Sequence, residues 1–259
     1  MLITAAVVPG PPAFVAELMG SAAHELDDLR DAADSVVSRA VSDLIAAAED
    51  SPSSGSASAQ LVVVGPGQPG EFNAAGPVSF ASFGRGVALP ALVEDEESDP
   101  ELPTPLMVAR YLASRDVAAH PEHAHLWATA RWITTSGADA TALGERLRED
   151  DRRIALILVA DGAACHGPKA PRAEDSRAQA YDDRVCAALS SGQPGRLAQI
   201  DVDLGAELGA TGPQVWPVLL TAAGSDRIGE VLWRGAPYGV GWAVAAWRPG
   251  PASTGVAQA

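Results

Sequence analysis

The sequence predicts an α/β protein: a three-layer α/β/α sandwich around a central mixed sheet. Three observations carry this. Short apolar runs, each bounded by Gly or Pro, recur along the chain. Between them the hydrophobic period changes to three and four residues. A pair of strand-like segments closes the chain around a Gly/Pro turn. Strands that alternate with helices require helical cover on both sheet faces.

The elements follow in order. Leu2–Val8 reads as a fully buried strand. From about Pro12 to Glu49, Leu26, Leu29, Ala33, Val37, Ala40 and Leu44 fall on one face of an amphipathic helix, with aspartates on the others. Residues 51–58 read as a polar loop. Gln60–Val64 is a second buried strand, followed by a Gly/Pro-rich stretch to Gly86 that Phe72, Phe80 and Phe83 should anchor. Val87–Val93 reads as a short strand or extended segment. An acidic loop runs from Glu94 to Glu101, where like charges oppose regular packing. Thr104, with Pro105 at the first position, opens a helix over about Leu106–Ser114. Leu126–Thr134 is expected to be a strand anchored by Trp127 and Trp132, and Thr141–Glu149 a helix. Arg153–Ala160 is the clearest interior strand. Helices follow at Ser176–Leu189, near Asp203–Leu208 and over Pro213–Ala223. Strands at Gly229–Trp233 and Val240–Trp247 form the hairpin, where Trp233, Trp242 and Trp247 join Trp216 as core or pocket aromatics. No linker divides the chain, so one domain over 1–250 with a flexible tail over 251–259 is expected.

Composition narrows the function classes. Lys plus Arg number 18 against 33 acidic residues, a formal charge of -15. Such a surface repels phosphate backbones and anionic membranes, which excludes a non-specific nucleic-acid binder. The first ten residues lack a basic region, and no apolar run reaches membrane-spanning length, so a soluble cytoplasmic protein is expected. Cys165 and Cys186 are expected to be free thiols.

Several motifs invite chemistry. Gly65-Pro-Gly-Gln-Pro-Gly70 matches a dinucleotide fingerprint after a strand, but Pro66 and Pro69 remove amides that would meet a pyrophosphate. A rigid loop is the better reading. His120, His123 and His125 with Glu122 carry metal-ligand chemistry, set against a solvated loop as the ordinary alternative. Cys165-His166 follows the strand ending at Ala160, where α/β proteins place chemistry. A Cys165 thiolate could act as a nucleophile if a base lowered its pKa, but adjacent residues on an extended chain point apart, which makes a direct pair awkward; His166 by itself could serve as a base or a ligand. Lys169, Arg172 and Arg177 could hold a carboxylate or phosphate, or pair with Glu174, Asp175 and Asp182. The sequence has no G-x-S-x-G elbow and no H-E-x-x-H helix.

Five segments together resemble the class III extradiol ring-cleavage dioxygenase superfamily, LigB-like, in an Ala-rich actinobacterial branch. They are Ala5-Ala-Val-Val-Pro-Gly-Pro-Pro12, Leu61-Val-Val-Val-Gly65, Ile154-Ala-Leu-Ile-Leu-Val-Ala-Asp-Gly162, Lys169-Ala-Pro171 with Asp175-Ser-Arg-Ala-Gln-Ala-Tyr-Asp182, and Ala236-Pro-Tyr-Gly-Val-Gly-Trp242. The resemblance implies a compact α/β/α domain and, in active members, a non-haem Fe(II) held by two histidines and a carboxylate, assisted by a further histidine. This chain departs from that pattern. Gly10 stands at the first ligand position, no histidine lies between Gly65 and Asn73, where Glu71 is nearby, and Glu230 is nearest the terminal carboxylate.

The expectation is therefore a dioxygenase-like fold without the iron site, without a cofactor, and with a structural, regulatory or protein-binding role as a homodimer or with another protein. If active, it would be a dioxygenase-like oxidoreductase retaining Fe(II) in altered form. Two rivals stand beside this reading. One is an enzyme whose site has moved to His166 or to His120, His123 and His125. The other is a small-molecule binding module using the Lys169/Arg172 patch.

Overall fold

A computed structural model describes residues 1–49, 59–224 and 227–250. The polar loop over 51–58 and the tail over 251–259 lie outside the described residues. Seven strands form one sheet in the order β3-β6-β2-β7-β1-β9-β8. Its centre is four parallel strands: β1 (Leu2–Val8), β2 (Ala59–Pro66), β6 (Arg131–Thr135) and β7 (Arg153–Val159). Antiparallel strands flank them: β3 (Gly70–Phe72) on one edge, β8 (Arg227–Gly235) and β9 (Trp242–Pro249) on the other. A two-residue pair, β4 (Val78–Ser79) and β5 (Ala88–Leu89), stands apart from the sheet.

The central strands are apolar throughout because both faces are covered. In β7, Ala155, Ile157 and Val159 face one core while Ile154, Leu156 and Leu158 face the other. In β1 the alternation slips: Ile3 joins the same core as Ala6 and Val8, one residue out of step. A register shift between Leu2 and Thr4 against β7 accounts for the slip, since an extra residue turns a strand's faces over.

One helical layer holds the short α1 (Ala16–Met19), α2 (Asp27–Glu49), α3 (Thr104–Ala119) and α4 (Ala124–Ala128). The other holds α5 (Gly137–Glu149), α6 (Ala178–Ser191), α7 (Pro194–Leu197), α8 (Val202–Leu208) and α9 (Gly212–Ala222). This is the sandwich that the alternating pattern predicts. Among the described residues no helix is long and apolar enough to cross a membrane.

Three expectations change. The helix expected from Pro12 becomes regular only at Asp27; before it the chain runs through 3-10 turns and α1, broken at Gly20, where φ is +57°. The strand expected over Leu126–Thr134 splits into α4 and β6. Trp127 turns into the helical layer because its indole N–H donates to Asp116 Oδ2 at 2.7 Å, a bond a strand there would forgo. The helix expected over Leu106–Ser114 continues to Ala119.

The Gly/Pro-rich stretch is held by Arg110 of α3, which is fully buried. Its guanidinium donates to the carbonyls of Ala74 and Pro90 and to Ser114 Oγ. Burial lowers this guanidinium to about 10, so it needs those acceptors.

Candidate functional site

The parallel strands end together, and with them the loop Asp161–His166, the turn Ala236–Gly241 and the start of β9. Sheet ends of this kind carry sites in open α/β proteins. Backbone hydrogen bonds pin the loop. Ala160 N–H donates to Val8 O, Gly162 N–H to Gly241 O at 2.7 Å and Gly241 N–H back to Ala163 O at 2.7 Å. Ala164 N–H donates to Leu208 O and His166 N–H to Gly239 O. Side chains on this loop are therefore held by the scaffold rather than by each other.

His166 and Asp182 meet here. The imidazole Nε2 lies 2.6 Å from Asp182 Oδ2, and both side chains are largely out of solvent, at 13% and 15% exposure. Ala163 N–H donates to the other oxygen, Oδ1, at 3.0 Å. Burial raises Asp182, while those two hydrogen bonds and the imidazole pull it back. The carboxylate sits between two glycines. A Cβ on Gly241 would lie 1.7 Å from Oδ2, and one on Gly162 2.4 Å from Oδ1. Only glycine at both positions lets Asp182 reach the histidine.

Among the described residues no group bonds to His166 Nδ1, and the ring borders a cleft of about 200 Å3 with Gln179, Asp183, Cys186, Arg234 and Trp242. Asp183 and Arg234 pair at 3.0 Å across its mouth. Behind Asp182 lies a smaller pocket lined by Asp161, Cys186, Trp216 and Trp242, with about 20 Å3 of room, enough for one water-sized group. Trp216 and Trp242 are 5% and 3% exposed, and neither indole N–H has an acceptor among the described residues. Asp161 is only partly buried as a residue, yet its carboxyl is enclosed, and burial raises it to about 6 against the bond from Gly10 N–H at 3.1 Å. In the turn Ala236–Gly241, Tyr238 takes a left-handed conformation at φ +56°, rare for an aromatic residue, and its hydroxyl donates to Glu25 Oε2 at 2.6 Å.

The positions that resemble the iron ligands do not fit iron. Gly10 offers no side chain, and a Cβ there would lie 2.6 Å from Val159 Cγ1. A Cβ on Gly65 would meet Pro105 at 3.0 Å, at the start of α3. Glu71 is on β3, paired with Arg131 at 2.8 Å, and Glu230 is on β8, paired with Arg248 at 3.2 Å. Those strands are opposite edges of the sheet, six spacings of about 4.8 Å or roughly 29 Å apart. The two carboxylates cannot share an ion.

The other candidate residues scatter. Cys165 points away from His166: its thiol donates to Leu208 O at 3.5 Å, and burial pushes it up. Arg172 donates to the carbonyls of Ala206 and Glu207 at the end of α8, while Lys169 is exposed. Arg177 pairs with Asp175 and Glu207. His120, Glu122 and His123 come together, but His125 turns away, its Nδ1 against Glu122 O. The solvated-loop expectation fails at His123, which is 2% exposed and bonded to Asp116 and Ser42. Sequence reasoning does not single out Asp161 or Asp116, and it offers Asp182 only as an ion-pair partner; Asp161 directly after a buried strand is the one available signal.

Fold and geometry thus define an α/β sandwich with a His–Asp pair at the carboxyl end of its parallel strands. No family model matches the chain, and no curated protein matches it. In three dimensions it is similar to an uncharacterized protein from Escherichia coli K12, at 11% identity over 95% of this chain and 99% of that one, with a TM-score of 0.41.

Proposed function

We propose that this chain is an iron-free protein of the class III extradiol dioxygenase type that binds a small oxygen-bearing molecule beside His166 and transfers a proton to or from it. The observation that carries the reading is the His166–Asp182 pair on the wall of the cleft, with no partner for Nδ1 among the described residues. With Asp182 ionised, Nε2–H donates to Oδ2 and Nδ1 holds the lone pair. Nδ1 can then take a proton from an acidic O–H or C–H of the ligand, leaving the ligand anion beside an imidazolium that Asp182 stabilises. Trp242 lines the cleft, and its indole N–H, which has no acceptor among the described residues, is the donor for a ligand oxygen. The cleft is smaller than the roughly 300–1,000 Å3 of sites for drug-sized ligands, which favours a compact molecule.

A purely protein-binding role has less support. Among the described residues the exposed large apolar side chains are Met1, Phe83, Val202, Ile228 and Tyr238, drawn from distant positions in the chain. The test is a thermal-shift screen of small hydroxy, keto and phenolic acids on the untagged chain, with titration of the hits. Loss of binding in both His166→Ala and Asp182→Asn supports the reading. Hits that bind both variants unchanged would sink it, as would stoichiometric iron on which turnover depends.

A further inference from the structure

A second histidine–carboxylate cluster lies at the far end of α3 from Gly10 and Gly65, about 24 Å along that 16-residue helix. The chain leaves α3 at His120 and makes a 3-10 turn over Pro121–His123. That turn brings one ligand atom each from His120, Glu122 and His123 within 4.8 Å of one another.

His123 is already oriented. Its Nδ1 lies 2.9 Å from Asp116 Oδ2, which also accepts the Trp127 indole N–H. In the neutral tautomer that donates Nδ1–H to this carboxylate, Nε2 holds the lone pair. Ser42 Oγ stands 3.2 Å from that Nε2, on the side of a solvent-open trough between α2 and α3. Carboxylates bound in this way fix the tautomer of metal-ligating histidines. Asp116 is 5% exposed, so its bond to Nδ1 holds the ring in a fixed orientation.

His120 stacks on His123 with ring centroids 4.9 Å apart and planes at 23°. In-plane lone pairs of stacked rings do not converge, so His120 must swing about its side-chain torsions to share an ion. It is free to do so: its side chain is 43% exposed, and its nearest charged neighbour is Glu122, at 3.6 Å.

We propose that His120, Glu122 and His123 bind one divalent transition metal of the zinc class, His123 through Nε2, with Asp116 as the positioning residue. Two imidazoles and one carboxylate suit zinc; calcium and magnesium take oxygen ligands. The trough beside His120 and Ser42 gives solvent a way to the cluster, and water would complete the coordination. This site is independent of His166.

Calorimetric titration of the untagged full chain with Zn2+, and the visible absorption of the Co2+ form, test the proposal. One equivalent bound at micromolar affinity or better, with a tetrahedral Co2+ spectrum, is expected. His120→Ala and Glu122→Gln, both at accessible positions, should each weaken binding by at least about tenfold, and Asp116→Asn by roughly 10–100-fold. His125→Ala and His166→Ala should leave it unchanged. No saturable binding overturns the proposal. So does affinity unaltered in both His120→Ala and Glu122→Gln, or lost in His125→Ala.

Discussion

Among the described residues one buried His–Asp pair, His123–Asp116, and one part-buried pair, His166–Asp182, differ in what the second ring nitrogen does. His166 Nδ1 has no partner among the described residues, while His123 has Asp116 on one nitrogen and Ser42 on the other. Asp182 is reached through two glycines at the ends of the parallel strands, on a loop held by backbone bonds. Asp116 instead sits inside a helical layer, tied to Trp127. The same two residue types thus leave one ring nitrogen without a partner in the part-buried pair and give both nitrogens partners in the buried one, where a metal on Nε2 would displace Ser42. The neighbours decide which nitrogen is open.

The sharpest way to break this comparison is to remove each carboxylate. Asp116→Ala leaves the buried donors of His123 and Trp127 unpaired, and urea unfolding should show a loss of about 3–5 kcal/mol. Asp182→Ala, beside a cleft that water can enter, should cost less, about 1–3 kcal/mol. Equal losses would erase the distinction.

Asp161 sharpens the comparison through pH. Its folded pKa of about 6 lies above its ordinary 3.8, so the folded state takes up the proton more readily. The ionised form therefore costs stability above about pH 6, and the cost fades as pH falls towards 3.8. Asp161→Asn should raise stability at pH 7 by roughly 2–3 kcal/mol and flatten that part of the profile, measured as the difference from the parent chain. A variant no more stable at pH 7 would show that the carboxyl is not held in a low-dielectric setting.

Gly241→Ala should push Asp182 off His166, because its new methyl would overlap Oδ2. The expected loss is about 1–3 kcal/mol, with ligand binding abolished. Retained binding would show that the pair is dispensable. The smallest effect belongs to His166→Ala, expected to change stability by less than about 1 kcal/mol while removing binding at the cleft. A large destabilisation would make His166 an anchor like His123.

Some of this was legible in the chain. Leu2–Val8 and the Arg153 run declare buried strands because both faces of a covered sheet demand apolar residues. The segment around Trp127 and Trp132 was not legible: an apolar run bounded by polar residues has no period that separates a short helix from a strand, and a hydrogen bond to Asp116 decided it. His166 could be singled out from its place after a strand. Asp182 could not be, because it lies sixteen residues away on a helix whose docking depends on Gly162 and Gly241.

By itself the sequence determined the alternation of strands and helices, the acidic surface and the absence of a histidine at Gly10 and between Gly65 and Asn73. These are properties of local pattern and residue type, which no packing can change. Only the tertiary structure decided which acids meet which histidines, that Glu71 and Glu230 stand on opposite edges of the sheet, and that the His166 ring has a partner on one nitrogen while the His123 ring has partners on both. Those facts depend on strand order and close approach between distant segments, and neither is written in the spacing of residues along the chain.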